Sequence, residues 1–279
     1  MHGSSVNEIS RLTMMIDPVL GPAIPELGWV PAPRYLMRRA RIRRLMDKIP
    51  TGSLIEIGSG AAALLVELAQ KGFQCEALEM SADARALSTS MIHKFAQNIP
   101  LHASPNPDWK NCFDVLCAFD VLEHIEHDQQ ALAQWISWIK PDGHLLLSVP
   151  AHMKLWRAGD KWAGHFRRYE RSSFIMLLEN SGLEVEVFEC YGFPLTNFTE
   201  WISAPIYARR IYNKAQNDDA NRKQNNDRSG TDRKPHMALY PLLRSLPGKW
   251  TLGLFSAIQS LFINQDLGSG YVVRARRRC

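Results

Sequence analysis

Three groups of residues in this chain have the types and spacing to do chemistry. The first is Glu56-Ile57-Gly58-Ser59-Gly60, an apolar run ending in an acid, with glycines at i and i+2 and an alanine–leucine stretch after them. Glycine reaches backbone angles closed to other residues and lets a ligand approach the main chain. A helix opening after such a turn presents free N–H groups that suit a carboxylate or phosphate. Gly58-x-Gly60-x-x-Ala63 fits the dinucleotide fingerprint, but Glu56 would sit poorly beside a pyrophosphate and suits a cofactor with positive groups. The second group is Asp120-x-x-Glu123-His124, with His152 further on. It offers a base that titrates near neutral pH with orienting carboxylates, or ligands for a divalent cation. A plainer reading makes Asp120 a helix cap and His124 a packed histidine. The third group is Trp156, Asp160, His165, Arg167, Arg168 and Tyr169. It combines a histidine base, an arginine pair able to grip a carboxylate or phosphate, and a tyrosine hydroxyl. Its alternative is a loop tied down by salt bridges, with Arg168 bonding the backbone or Asp160.

Hydrophobic periodicity supplies the elements that must position these groups. Leu54–Ile57 reads as a strand, Ala61–Lys71 as a crossover helix closed by Gly72, and Phe73–Leu78 as a second strand ending at Glu79. An acid about 20 residues beyond a glycine turn is where open α/β folds place a ribose-binding carboxylate. Ser81 caps the next helix. Phe113–Phe119 is strand four and Asp120–Ile139 the helix after it, with residues 120, 123 and 124 on one helical face. Gly143–Val149 is strand five, apolar throughout as a strand covered on both faces should be. Arg171–Ser181 is a helix ended by Gly182, and Leu183–Cys190 a half-exposed strand six. Upstream, residues 34–49 form a helix with Tyr35, Ile42, Leu45, Met46 and Ile49 on one side and Arg34, Arg38, Arg41 and Lys48 opposite. Ligands bind beyond the carboxyl ends of the strands in open α/β sheets, so Asp120, Glu123, His124 and His152 are expected to edge one crevice.

After Glu79 come Phe113-Asp114-Val115-Leu116-Cys117-Ala118-Phe119-Asp120-Val121-Leu122-Glu123-His124-Ile125 and Trp138-Ile139-Lys140-Pro141-Asp142-Gly143-His144-Leu145-Leu146-Leu147-Ser148-Val149-Pro150. With Glu56-x-Gly58-x-Gly60, these stretches resemble the class I S-adenosylmethionine (SAM)-dependent methyltransferases. The likeness is to the broad bacterial branch with D-V-L-E-H, a K-P-x-G turn before strand five, and H-x-R-R-Y after it. It implies an α/β, Rossmann-like fold with a seven-stranded, mostly parallel sheet whose last strand is antiparallel. It also implies SAM as cofactor, S-adenosylhomocysteine as product, and methyl transfer to an oxygen or nitrogen of a small-molecule acceptor, with an anionic or lipid-linked one favoured. Carried onto this chain, Gly58, Ser59 and Gly60 pass the methionine part and Glu56 meets its amino end. Glu79 takes the ribose hydroxyls with Met80 beside it, and Phe119 and Asp120 border the methyl group. Ser104 stands where many relatives have an adenine-contacting Asp, with Asp108 and Trp109 as alternatives. His124, His152 and His165, in that order, are candidates for the base, with Asp120 and Tyr169 as further catalytic residues. Asp120-x-x-Glu123-His124 is also similar to the E-x-x-E-H metal motif of ubiquinone-pathway and small-RNA 2′-O-methyltransferases, which leaves a metal-assisted O-methyltransferase open. Ala62 replaces the family's third glycine, from which slightly tighter packing is expected. That change and the absent adenine Asp leave a non-catalytic SAM-binding subunit open, and the glycines alone would allow a dinucleotide-dependent oxidoreductase.

Strands six and seven of that fold usually form a hairpin, but the one late strand pattern is Gly270–Ala275. The chain therefore divides into an N-terminal arm (1–33), a SAM-binding domain (34–190 with 270–279) and a helical cap insertion (191–269). Residues 213–236, dense in Asn, Asp, Lys, Arg and Gln, have too few apolar groups to order themselves. Phe193–Tyr212 and Met237–Phe262 read as apolar helices packed against the sheet domain, with peripheral membrane contact as the second option. The chain has 279 residues and a net charge of +5, with arginines bunched at 34–44 and 274–278. Such clusters suit an acidic substrate, a nucleic acid or an anionic membrane, or simply form a solvated helix face. Nucleic acid is disfavoured because no stripe of basic residues interleaved with aromatics is present. Five cysteines without C-x-x-C spacing imply neither zinc nor a disulfide framework and point to a reducing cytoplasm. The N-terminus lacks a secretory pattern, and no apolar run reaches the ~20 residues a membrane helix needs. His93, His102, His127, His144 and His236 read as surface residues.

Overall fold

The computed structural model describes residues 16–212, 230–231 and 233–278. Seven strands form one sheet in the order β3-β2-β1-β4-β5-β7-β6. They are β1 (Ser53–Ile57), β2 (Gln74–Leu78), β3 (Leu101–His102), β4 (Phe113–Phe119), β5 (Ile139–Pro150), β6 (Leu183–Tyr191) and β7 (Gly270–Arg277). The first five pair in parallel, and β7 runs antiparallel to both β5 and β6. The sheet is covered by α1 (Pro33–Met46), α2 (Ala63–Gln70), α3 (Ala82–Lys94), α4 (Asp128–Trp138), α5 (Ala158–Ala163) and α6 (Arg171–Asn180). The insertion before β7 supplies α7 (Leu195–Tyr212), α8 (Lys234–Met237), α9 (Tyr240–Arg244) and α10 (Leu246–Phe262).

The apolar runs of the central strands are explained by two buried layers. Successive side chains of a strand point to opposite faces. Leu54 accordingly joins Leu36, Leu65, Leu68 and Met91 on one side of the sheet. Its neighbour Ile55 joins Leu132, Trp135, Phe174 and Leu178 on the other.

The chain leaves β4 differently from expectation. Residues 120–139 are not one helix: Leu122–His124 is a single tight turn, and α4 begins at Asp128. Asp120 has a left-handed backbone (φ +55°), and its N–H donates to the Ser148 carbonyl at 2.9 Å. That geometry carries the chain along β5 instead of into a helix, so Asp120 caps nothing and shares no helical face with Glu123 and His124.

The arginines of α1 are only partly solvated: Arg44, with Lys48 beyond the helix, is exposed. Arg39 and Arg41 are each 3% exposed. Arg39 grips Glu67 of α2 with contacts of 2.6 and 2.7 Å, and Arg41 grips Glu189 of β6 at 2.7 and 2.8 Å. The cap, packed on α1, excludes water from this side. Residues 16–32 are likewise core rather than a loose arm. Leu20, Ile24 and Val30 are buried, and Trp29 meets Tyr35 edge to face at 5.7 Å. Residues 1–15 lie outside the described residues, as does most of the 213–236 stretch, whose end forms α8.

The cap departs most from expectation. α7 and α10 rest on α1, yet Phe198, Trp201, Ile202 and Ile206 of α7 and Leu246, Trp250, Leu254 and Leu261 of α10 are exposed. Core packing therefore accounts for only part of their apolar surface. Among the described residues, no helix is long and apolar enough to cross a membrane.

Candidate active site

The strand order reverses between β1 and β4, and a cavity of about 770 Å³ opens at the carboxyl ends there. Open α/β sheets bind ligands at such a switch point, and this volume is that of a small-molecule site. Gly58 and Gly60 line it after β1, Glu79 and Met80 after β2, and Phe119 and Asp120 after β4.

The glycine turn is built from left-handed positions: Gly58 (φ +65°), Gly60 (φ +57°) and Ala62 (φ +56°). Glu79 braces it, one carboxylate oxygen accepting the Gly60 N–H at 2.9 Å and the other the Ser81 N–H at 3.0 Å. A Cβ on Gly58 would meet Val121 Cγ2 at 2.6 Å, so packing demands glycine there. Among the described residues, a Cβ on Gly60 would meet only the Gly230 carbonyl at 3.8 Å, which leaves this face of the turn open to a ligand. Ala62 is fully buried in the core. It occupies a left-handed backbone position, which costs an L-residue roughly 1–2 kcal/mol.

Glu56 is buried below the turn, beside Tyr35 and Arg38, and is not itself part of the lining. Burial pushes its carboxyl up to about 8 against the pull of Arg38. Its Oε2 and the Ser59 Oγ are buried without a partner. Ser59, like Glu56, is buried outside the lining, so an open Gly60 and a carboxylate at the tip of β2 are the features that fit a cofactor with ribose hydroxyls. Ser104 does not join them. It and Asp108 are exposed and outside the lining, Pro105 lines the cavity instead, and Trp109 is core against Phe113 and Trp138.

Opposite the turn lies an acid–base cluster. Asp120 is ion-paired to Arg38, lies 3.6 Å from Arg34, and accepts the Ser148 hydroxyl at 3.0 Å. Burial alone would raise its carboxyl, but Arg38 and Arg34 hold it down at about 2. It is an anion held in ion pairs, with little affinity for a proton, and it lies outside the cluster of possible metal donors formed by Glu123, His124 and His165. Arg34 also pairs with Glu200 of α7, which accepts from Arg168 at 3.2 Å and from Ser269 at 3.0 Å. Glu123 is fully buried with both carboxylate oxygens lacking a hydrogen-bond partner. Burial, with Asp120 nearby, pushes it well above the carboxylate range, so it is held protonated.

His165 lines the cavity with its Nδ1 3.0 Å from Asp160 and its Nε2 3.8 Å from Glu123. A carboxylate on Nδ1 selects the tautomer protonated there and leaves Nε2 as a proton acceptor. Burial opposes the Asp160 charge, but the hydrogen bond from His165 and the guanidinium of Arg168 hold it at about 2. His124 meets His165 edge to face at 4.7 Å, and burial, reinforced by His165, drives it down to about 3. It stays neutral, with its Nδ1 buried and without a hydrogen-bond partner.

The remaining candidates are elsewhere. His152 is 4% exposed and turned away from the cavity, with Nδ1 3.3 Å from Glu170. Tyr169 is buried against Phe174 with its hydroxyl donating to Asp128 at 2.9 Å, and Asp128 and burial raise its pKa further. Arg167 bonds Asp128 and Arg168 bonds Asp160, so the salt-bridge reading of that loop holds for both. His127 is exposed, as expected, and is among the residues lining the cavity. The structure adds Arg34, Arg38 and Glu200. The first two had a sequence signal, arginines at i and i+4 on the basic side of α1, whereas Glu200 had none. Ligand atoms of Glu123, His124 and His165 lie within 4.8 Å of one another, a donor set suited to a divalent transition metal.

Comparison with known proteins agrees with this geometry. A model of the methyltransferase domain matches residues 32–187. The ubiquinone biosynthesis O-methyltransferase of Yersinia enterocolitica is 26% identical over 130 residues, covering 44% of this chain and 50% of the relative. The chain thus spans about half the length of the curated relatives it matches. Phosphoethanolamine N-methyltransferase 2 of Haemonchus contortus, solved with SAM, superimposes with a TM-score of 0.52 at 14% identity, covering 87% of this chain and 52% of that one. The cyclase SpnF superimposes with a TM-score of 0.53 at 13% identity, covering 94% and 88%. At such identities the structures speak for the fold alone. The family match, the sheet order and the glycine turn together place this chain in the methyltransferase-domain family, among the class I SAM-dependent methyltransferases.

Proposed function

We propose that this protein moves a methyl group from SAM to a hydroxyl oxygen of a small-molecule acceptor, with His165 taking the acceptor's proton. The Asp160–His165 pair, opening on the same cavity as the glycine turn, carries the reading. When bound, SAM supplies an electrophilic methyl group on a positively charged sulfur. The residues here align and desolvate the partners, which is most of what an in-line displacement requires. Gly60 and Glu79 hold the cofactor's backbone-facing and ribose edges. His165 Nε2 accepts the hydroxyl proton, and Asp160 stabilises the imidazolium that results. Protonated Glu123, beside Nε2, orients the acceptor oxygen by hydrogen bonding.

The O-methyltransferase relatives support oxygen over nitrogen. The arginines that suggested an anionic acceptor are engaged with Asp120, Glu200 and Asp160, while Arg157 and Arg233 also line the cavity, so a hydroxyl compound with or without an anionic group fits it. Calorimetric titration with S-adenosylhomocysteine, followed by turnover on a panel of phenols and aliphatic alcohols, tests the reading. His165→Asn should bind the product normally and lose about 10²–10⁴-fold in turnover. Unchanged turnover would remove His165 as the base, and no product binding by the wild type would remove the SAM site.

A second reading rests on the two partnerless oxygens of Glu123: a divalent cation held by Glu123, His124 and His165 would position the acceptor hydroxyl. It requires turnover to stop with chelator and metal binding to be lost in Glu123→Gln. The base reading requires indifference to chelator.

A further inference from the structure

The cap helices are amphipathic in the inverted sense. On α7, Ser203, Ala204 and Tyr207 face inward and line the cavity, while Phe198, Trp201, Ile202 and Ile206 form an outward stripe at helical spacing. On α10, the inward face includes Gln259, whose amide bonds the Met37 carbonyl and the Gly192 N–H, each at 3.1 Å. Ser260 on the same helix accepts from Arg41 at 3.0 Å. The outward stripe is Leu246, Trp250, Leu254 and Leu261, with Trp250 79% exposed. Single exposed apolar residues need no explanation. Two continuous stripes, each with a tryptophan, do. The chain entering α7 meets the end of α10, where Phe193 packs on Phe262 edge to face at 5.1 Å.

We infer that the outer faces of α7, α9 and α10 dock on the surface of an anionic lipid bilayer. Charge selects this occupant. α9 and α10 contain no acidic residue, and the one acid of α7, Glu200, turns inward to Arg34 and Arg168. Basic residues flank the apolar stripes, with Arg209 exposed in the last turn of α7 and Arg244 exposed in the last turn of α9. An apolar face carrying Trp and Leu, edged by arginines and free of acids, is the composition of a helix lying in the headgroup region. Attraction to anionic lipid adds to apolar burial for each arginine near the surface. Neither helix spans the bilayer, so the attachment is peripheral. Because α7 presents its other face to the cavity, docking sets the wall of the active site against the membrane. This inference rests on the surface and not on the methyl-transfer reading.

Flotation of the full chain with vesicles tests it, using phosphatidylcholine alone and phosphatidylcholine mixed with phosphatidylglycerol. The wild type should float with the mixed vesicles, less with the neutral ones, and less again at high salt. Trp250→Glu combined with Leu254→Glu should lower binding by about tenfold or more, and Arg209→Gln with Arg244→Gln by about fivefold or more, lost only on anionic vesicles. None of these side chains lines the cavity, so S-adenosylhomocysteine affinity should stay unchanged and reports that each variant is folded. A folded wild type that ignores anionic vesicles would overturn the inference, as would the glutamate variant floating as well as the wild type. A wild-type dimer that Trp250→Glu splits, without vesicle binding, would assign the face to a second copy of the chain. Loss of product binding in the wild type would count against the SAM site and leave the vesicle result standing.

Discussion

Gly60→Ala should separate cofactor binding from folding, because the two glycines of the turn are small for different reasons. At Gly58 an added Cβ meets Val121 at 2.6 Å, so substitution disturbs the core under the turn. At Gly60 the nearest atom to an added Cβ is a carbonyl oxygen at 3.8 Å, so the cost is confined to the backbone. Its φ of +57° nearly equals the +56° that Ala62 already adopts two residues later. That cost is roughly 1–2 kcal/mol, partly offset by about 0.4–1 kcal/mol of lost freedom in the unfolded chain. Net destabilisation near 1 kcal/mol shifts the melting temperature by about 2–4 °C in a chain of this size. The methyl group would stand where a ligand approaches the main chain and would displace one or two charge-assisted hydrogen bonds. At about 1.5–3 kcal/mol each, these correspond to a loss of about 10–100-fold or more in affinity. Calorimetric titration with S-adenosylhomocysteine beside a thermal melt reads both quantities in one preparation. Affinity within about threefold of wild type would refute the reasoning and move the cofactor away from the glycine turn.

Ala62→Gly should do the reverse, raising stability by a few tenths to about 1 kcal/mol in a urea titration while leaving product affinity unchanged. Arg41→Met should strand the buried Glu189 carboxylate and cost about 3–5 kcal/mol, and adding Glu189→Leu should restore most of it. If the two effects simply add, the pair is not coupled. Glu56 makes stability depend on pH with a defined sign. Its folded value is raised to about 8 from an ordinary 4.5, so between these values the folded state holds a proton that the unfolded state has released. Wild-type stability therefore falls as pH rises through that window, and Glu56→Gln escapes this loss. The stability difference between the variant and the wild type should widen in favour of Gln by up to about 1.4 kcal/mol per pH unit and level off above about pH 8. A pH-independent difference in urea midpoints would show that Glu56 does not titrate in this range. Asp160→Asn should retain product affinity and lose turnover about as His165→Asn does, because the amide no longer selects the Nδ1–H tautomer. Full turnover in Asp160→Asn would leave His165 without an orienting partner in the reaction.

Local sequence was enough wherever the physics is local. The glycine turn, the acid at the end of β2, and the apolar runs of β1, β4 and β5 depend on backbone freedom and on a period of two. These were legible, and so was the antiparallel last strand, through the resemblance those motifs carried. Side-chain direction at the end of β4 was not legible, because a left-handed Asp120 replaced the expected helix and took Asp120 out of line with Glu123 and His124. His152 and Tyr169 follow β5 and its loop closely in sequence, yet bonds to Glu170 and Asp128 turn them from the cavity. His165, from the same stretch, is turned into it by Asp160. Most of the α1 arginines read as a polar face, and only the cap and Glu67 make that face an interior. Sequence alone thus determined the fold, the glycine turn and the family. Tertiary packing decided which histidine meets the cavity, which acids stay charged, and which way the cap turns its apolar side, because each depends on partners far apart in the chain.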